Sequence, residues 1–95
     1  MNKSDLIEAL SKDQNISLSE AQIVINIILN AMTDALTAGE NVEIRGFGSF
    51  TVRHYNSYTG RNPKTGKKVT IHPKKLPFFK VGKELREKVN EVHKN

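Results

Sequence analysis

The run from Ser17 to Ala38 constrains this chain more than any other segment. Ile23, Val24, Ile25, Ile27, Ile28, Leu29, Met32 and Leu36 crowd into it. "SLSE" opens it with Ser17 three residues ahead of Glu20, the capping-box spacing in which each side chain satisfies a free backbone donor of the other. Gly39 supplies a C-terminal stop. A surface helix shows one apolar stripe, whereas this one is apolar on several sides at once. A single domain of 95 residues, much of it polar, holds too little apolar material to cover such a helix. The expectation is a homodimer, or a heterodimer with a related subunit. Its core would take Ile25, Ile28, Leu29, Met32 and Leu36 from this helix and Phe47, Phe50 and Phe79 from strands beneath it.

A shorter helix precedes it. Asn2 is a capping residue with Asp5 in the first turn, and Leu6, Ile7 and Leu10 recur at helical spacing before the pattern stops near Asp13. After Gly39, "VEIRGFGSFTVRHY" reads as two β-branched, alternating strands joined through Gly46 and Gly48. "LPFFKVG" reads as a returning core strand in which Phe78 and Phe79 face opposite ways, with Phe79 inward. Val81, Leu85 and Val89 then mark a last helix over about 82–92. The parts are a helical dimerisation region (1–39), a sheet (41–81) that carries an arm over about 53–75, and the closing helix.

The arm is the least ordinary of these. From Arg53 to Thr59 and from Lys67 to His72 the chain is β-prone, yet only Val69 and Ile71 are aliphatic, so the two runs have almost nothing to bury. Between them "GRNPKTG" supplies the residues that a tight turn demands. Two strands of about eight residues would reach roughly 25 Å from the body. Along this hairpin lie Arg53, Arg61, Lys64, Lys67, Lys68, Lys74 and Lys75, with no acid among them.

Charge divides along the chain in the same way. Met1 to Ile44 holds two basic and seven acidic residues, net −5, and Arg45 to Asn95 holds thirteen basic and three acidic, net +10. Such asymmetry points to a polyanion. Phosphates of double-stranded DNA would relieve the arm's self-repulsion and release counterions. Pro63, rigid, apolar and without a donor, sits at the tip where it can act as a wedge between stacked bases.

Other classes fit less well. No nucleophile with a base, paired carboxylates or metal cluster is visible, so the chain is not expected to be an enzyme and needs no cofactor or metal. His54, His72 and His93 lack metal-ligand spacing, although His54 and His72 could neighbour each other across the arm. Cysteine is absent, which removes thiolate chemistry and fits a reducing compartment. No secretory signal or membrane span is apparent, so the expected location is the cytoplasm. Attachment to anionic lipid is a rival of a different class, but it usually needs an apolar face beside the charges. RNA is a secondary partner, since no aromatic stacking platform is evident.

"GFGSF" at Gly46 to Phe50, "TGRNPKTG" at Thr59 to Gly66 and "KVGKELREKVN" at Lys80 to Asn90 resemble the bacterial histone-like family, HU and integration host factor, along Met1 to about Asn90. The resemblance implies an α+β fold: an intertwined dimer of helices with a β-sheet saddle and two protruding β-hairpin arms. It implies a nucleoid-associated protein whose arms enter the minor groove, bending and compacting DNA, with Pro63 intercalating. Arg61 and Asn62 would then lie in the groove, and Lys3, Lys80, Lys83 and Arg86 would meet phosphates. Tyr55 and Tyr58 stand where family members often carry arginines, and either stack on sugars or fill the strand. Phe78 replaces a residue that is usually small. "EIRGFGSF" is similar to the host factor β subunit, placing Glu43 and Arg45 near DNA with some sequence preference. "MNKSDLIEAL" is closer to HU, with little preference. For Glu43 and Arg45 the plainer role is a cross-strand ion pair.

Overall fold

The computed structural model describes residues 1–93, apart from the side chains of Tyr58, Ile71, Val92 and His93. The expectations resting on the Tyr58 and His93 side chains therefore lie outside the described residues. Two helices come first, α1 (Lys3–Gln14) and α2 (Leu18–Thr37), followed by β1 (Val42–Ile44), β2 (Gly48–Tyr55), β3 (Tyr58–Arg61), β4 (Lys68–Ile71) and β5 (Lys74–Val81). Helix α3 (Lys83–His93) closes the chain.

Local chemistry explains the helix ends. At α1 the capping box is complete: the Asp5 N–H donates to Asn2 Oδ1 at 2.9 Å and the Asn2 N–H donates to Asp5 Oδ2 at 3.0 Å. At α2 only half of the expected box forms. The Glu20 N–H donates to Ser17 Oγ at 3.0 Å, while the Glu20 carboxylate accepts from the Ser17 hydroxyl at 3.3 Å. The full box thus belongs to the helix where only a simple cap is expected. Asn15, in the left-handed conformation at φ 51°, ends α1, a role that asparagine tolerates better than most residues.

Strand order in the main sheet is β1-β2-β5, all antiparallel, and β3 and β4 form a separate two-stranded ribbon. The arm is therefore one hairpin in a single register whose ladder is interrupted for two residues on each strand. Pairing of β2 with β5 stops at Tyr55 and Lys74, and resumes between Tyr58 and Ile71. Pro73 sits in that gap and has no N–H to offer a ladder. The same register corrects the expected neighbouring of two histidines: His54 lies opposite Lys75, and His72 is in the gap.

Gly46 and Gly48 also divide their work differently from the expectation. Gly46, at φ +85°, makes the turn between β1 and β2. Gly48 is already inside β2, where a Cβ would come within 2.6 Å of the Phe79 ring and of the Lys80 carbonyl oxygen. The close approach is needed because Phe79 joins Phe50 (ring centroids 4.8 Å apart) and Phe47 (5.6 Å) in one aromatic cluster.

Alternation then sorts the sheet into two faces. Val42, Phe50, Val52, Pro77 and Phe79 share the face turned to the helices, where Thr33 and Leu36 of α2 line a groove with Val52 and Pro77. The only buried apolar side chains are Ala21 and Ile25, both on α2, among the described residues. Ile25, expected at the dimer core, is thus buried inside its own protomer. Ile27 (62 % exposed), Ile23 (59 %) and Ile28 (50 %) are left uncovered, with Leu29, Phe47 and Phe79 also exposed. Met32, Leu36 and Phe50 are half-buried. A lone protomer therefore has almost no finished core, and α2 leaves a broad apolar face uncovered.

Candidate nucleic-acid interface

The opposite face of the sheet is open. Cross-strand register places Glu43, Ser49 and Lys80 in one row, Thr51 with Phe78, Arg53 with Leu76, and Tyr55 with Lys74. At its body end Glu43, Arg45, Ser49 and Lys80 line one shallow depression. The plainer ion pair between Glu43 and Arg45 is not formed: the only salt bridge among the described residues is Lys83 with Glu87, at 4.0 Å and well exposed. A surface pair of that kind contributes about 0–1 kcal/mol. Both members of the Glu43–Arg45 pair stay free to meet a partner.

Midway along this face the Arg53 guanidinium carbon lies 3.4 Å from the centroid of the Phe78 ring. Phe78, expected to face away from Phe79, is therefore on the side opposite the aromatic cluster and beneath a cation. Ser49 and Thr51 share this face. Stepping back by two from Arg53 would have found both hydroxyls in the sequence, since period-two alternation is the strand signal.

Beyond the gap the ribbon is also two-sided. Thr59 pairs with Thr70 and Arg61 with Lys68, so these four residues share a face, whereas Gly60 and Val69 share the other. Two cations directly opposite each other repel. No acid occurs between Glu43 and Glu84 to offset that repulsion.

At the tip the Gly66 N–H donates to the Asn62 carbonyl and the Asn62 N–H to the Lys67 carbonyl, each at 2.8 Å. Asn62 Oδ1 accepts from the Lys64 N–H at 2.9 Å, and Gly66 takes φ +71°. The Asn62 acceptor is thereby committed to the turn, leaving its amide N–H groups for a ligand. Pro63, Lys64 and Lys67 stand exposed around it.

Not every expected contact falls on one surface. Lys74 lies on the open face with Arg53 and Lys80, while Lys75, opposite His54, lies on the other. Lys3 is exposed in the first turn of α1, and Lys83 and Arg86 are exposed at the start of α3. Among the described residues no group of His, Asp or Glu side chains is arranged to hold a metal ion, and no single helix is long and apolar enough to cross a membrane.

Residues 1–90 match the family model described as bacterial DNA-binding protein. The chain belongs to that family. It is similar to the integration host factor subunit beta of Vibrio cholerae, 50% identical over 91 residues, covering 95% of this chain and 99% of the relative. The corresponding subunit of Saccharophagus degradans is 47% identical over 92 residues, covering 96% and 94%. Among solved structures, the HU chain of an Anabaena HU–DNA cocrystal aligns with a TM-score of 0.83 at 37% identity, covering 94% of this chain and 97% of that one. A Thermotoga maritima HU aligns at 0.66 and 34% identity, covering 94% and 98%. The chain is thus a histone-like architectural DNA-binding protein with an α+β fold, from a family of DNA architects and not of enzymes.

Proposed function

We propose that two such subunits form an intertwined dimer whose paired arms bind duplex DNA from the minor-groove side and bend it in the bacterial nucleoid. The observation that carries this reading is the facing Arg61 and Lys68 in an arm without a carboxylate. That arrangement costs energy until polyanion oxygens lie between the cations. The exposed proline at the tip adds the wedge. Unstacking a base step costs a few kcal/mol and bending the site on the order of 1–6 kcal/mol; minor-groove architectural proteins, HU and host factor among them, offset these costs with the longer contact that bent DNA allows.

The body end of the open face favours the host-factor-like branch, which prefers some sequences. Arg45 and Glu43 form no salt bridge there among the described residues, and an arginine entering a narrow minor groove responds to its width. The relatives named host factor subunit beta support the same branch, with a related second subunit as the natural partner. Arg53, Tyr55, Arg61, Lys64, Lys67, Lys68, Lys74 and Lys80 are the proposed contacts of sheet and arm, and Lys3, Lys83 and Arg86 the phosphate contacts of the body.

One experiment addresses both levels. Protein is mixed with duplexes randomised at their centre, the retained pool is sequenced, and end-to-end distance is read by energy transfer between labelled ends. The expected outcome is a consensus in the pool and a shortened distance. A pool without consensus assigns the chain to the unselective branch, and an unchanged distance overturns bending.

A further inference from the structure

We propose that Phe78 is a positioning residue: its ring holds the Arg53 guanidinium flat and ready to grip a DNA phosphate on the open sheet face. The inference rests on the DNA-binding reading and deepens it at one point. Three observations carry it. Arg53 lies 3.4 Å above the ring centroid, well within cation–π range. Arg53 and Phe78 are diagonal neighbours on the open face, away from the Phe47, Phe50 and Phe79 cluster, so the ring is not held there by the apolar core. Arg53 also forms no ion pair among the described residues, so a carboxylate does not already occupy its fork.

A guanidinium stacked on a ring uses its faces and keeps its N–H edge free. That edge matches two phosphate oxygens, and fixing the side chain beforehand removes rotamer freedom that binding would otherwise cost. Lys74 and Lys80 flank the pair on the same face, so a strand of DNA lying along the sheet would meet three cations in succession. Only the middle one is oriented. A lysine at position 53 would keep the charge and lose the planar fork.

The test is a set of variants titrated with a mixed-sequence duplex at several salt concentrations. Phe78→Leu should weaken binding about two- to five-fold per subunit, the range of an exposed cation–π contact, and leave the salt slope unchanged because no charge is lost. Phe78→Tyr should restore wild-type affinity. Arg53→Ala should weaken binding and flatten the slope by about 0.9 per subunit, and in that background Phe78→Leu should cost nothing more. Should Phe78→Leu fold poorly, Arg53→Lys reads the same property with the ring in place: affinity falls and the slope stays. Losses that multiply in the double variant, no rescue by tyrosine, or an Arg53→Lys protein that binds as wild type would each overturn the proposal. A wild-type protein that retains no DNA would instead remove the reading on which it rests.

Discussion

Gly48 shows how one missing methyl group organises the sheet. The Phe79 ring and the Lys80 carbonyl stand within 2.6 Å of where its Cβ would be, and neither is the loose end of a flexible side chain. Gly48→Ala should push the Phe79 ring out of its cluster with Phe50 and Phe47, at a cost of about 1–3 kcal/mol typical of overpacking. Chemical denaturation of the two proteins side by side checks this, and an unchanged midpoint would mean that the ring has room to shift. The sequence shows two glycines flanking a phenylalanine, enough to foresee a turn. It does not show that the second glycine makes space for the Phe79 ring far along the chain, because that contact depends on the β2–β5 register. The phenylalanine pair is similar: alternation requires Phe78 and Phe79 to part, but only pairing with Thr51 and Phe50 shows which cation the outer ring meets.

Among the elements, helices were the most legible and the arm the least. Capping signals at Asn2 and Ser17 and the left-handed stop at Gly39 are local, so α1 and α2 fall within a residue or two of their expected bounds. The interruption of the arm's pairing is not local. It coincides with Pro73, which has no N–H to offer opposite Asn56, and β-propensity carries straight through that gap. Beyond the break the distal ribbon continues the saddle strands in the same register, with the Arg61–Lys68 pair on its strands and the proline apart from them at the tip. Binding and bending should separate accordingly. Pro63→Ala leaves every cation in place, so affinity should change little while the bend angle falls, because the apolar wedge is reduced to a methyl group. Energy transfer across end-labelled duplex gives the angle and a gel shift the affinity. Equal angles for both proteins would show that the tip does not enter the stack.

At the scale of the molecule the numbers describe half an assembly. A compact chain of this mass would expose about 5,500 Å², and this one exposes 8216 Å². Its radius of gyration is 19.3 Å, against about 12 Å for a compact domain of this length. The extended arm contributes to both excesses, but the arm does not contain Ile23, Ile27 or Ile28. Those residues lie on α2, and a second subunit packed on that face would keep three isoleucines of one helix from water. Ile28 is the site to test, because Ile25 is buried within its own protomer and changing it would damage the subunit itself. Ile28→Glu places a carboxylate where the second subunit must pack, and leaving an ion unpaired in such a site costs several kcal/mol. The variant should elute at the mass of one chain, 10.7 kDa, and lose most of its affinity for DNA, since a single arm forfeits the effective concentration that its twin supplies. The wild-type melting temperature should rise with protein concentration, as association requires. A wild-type melting temperature independent of concentration, together with an Ile28→Glu protein that binds DNA normally, would mean that the α2 face is not where two subunits meet.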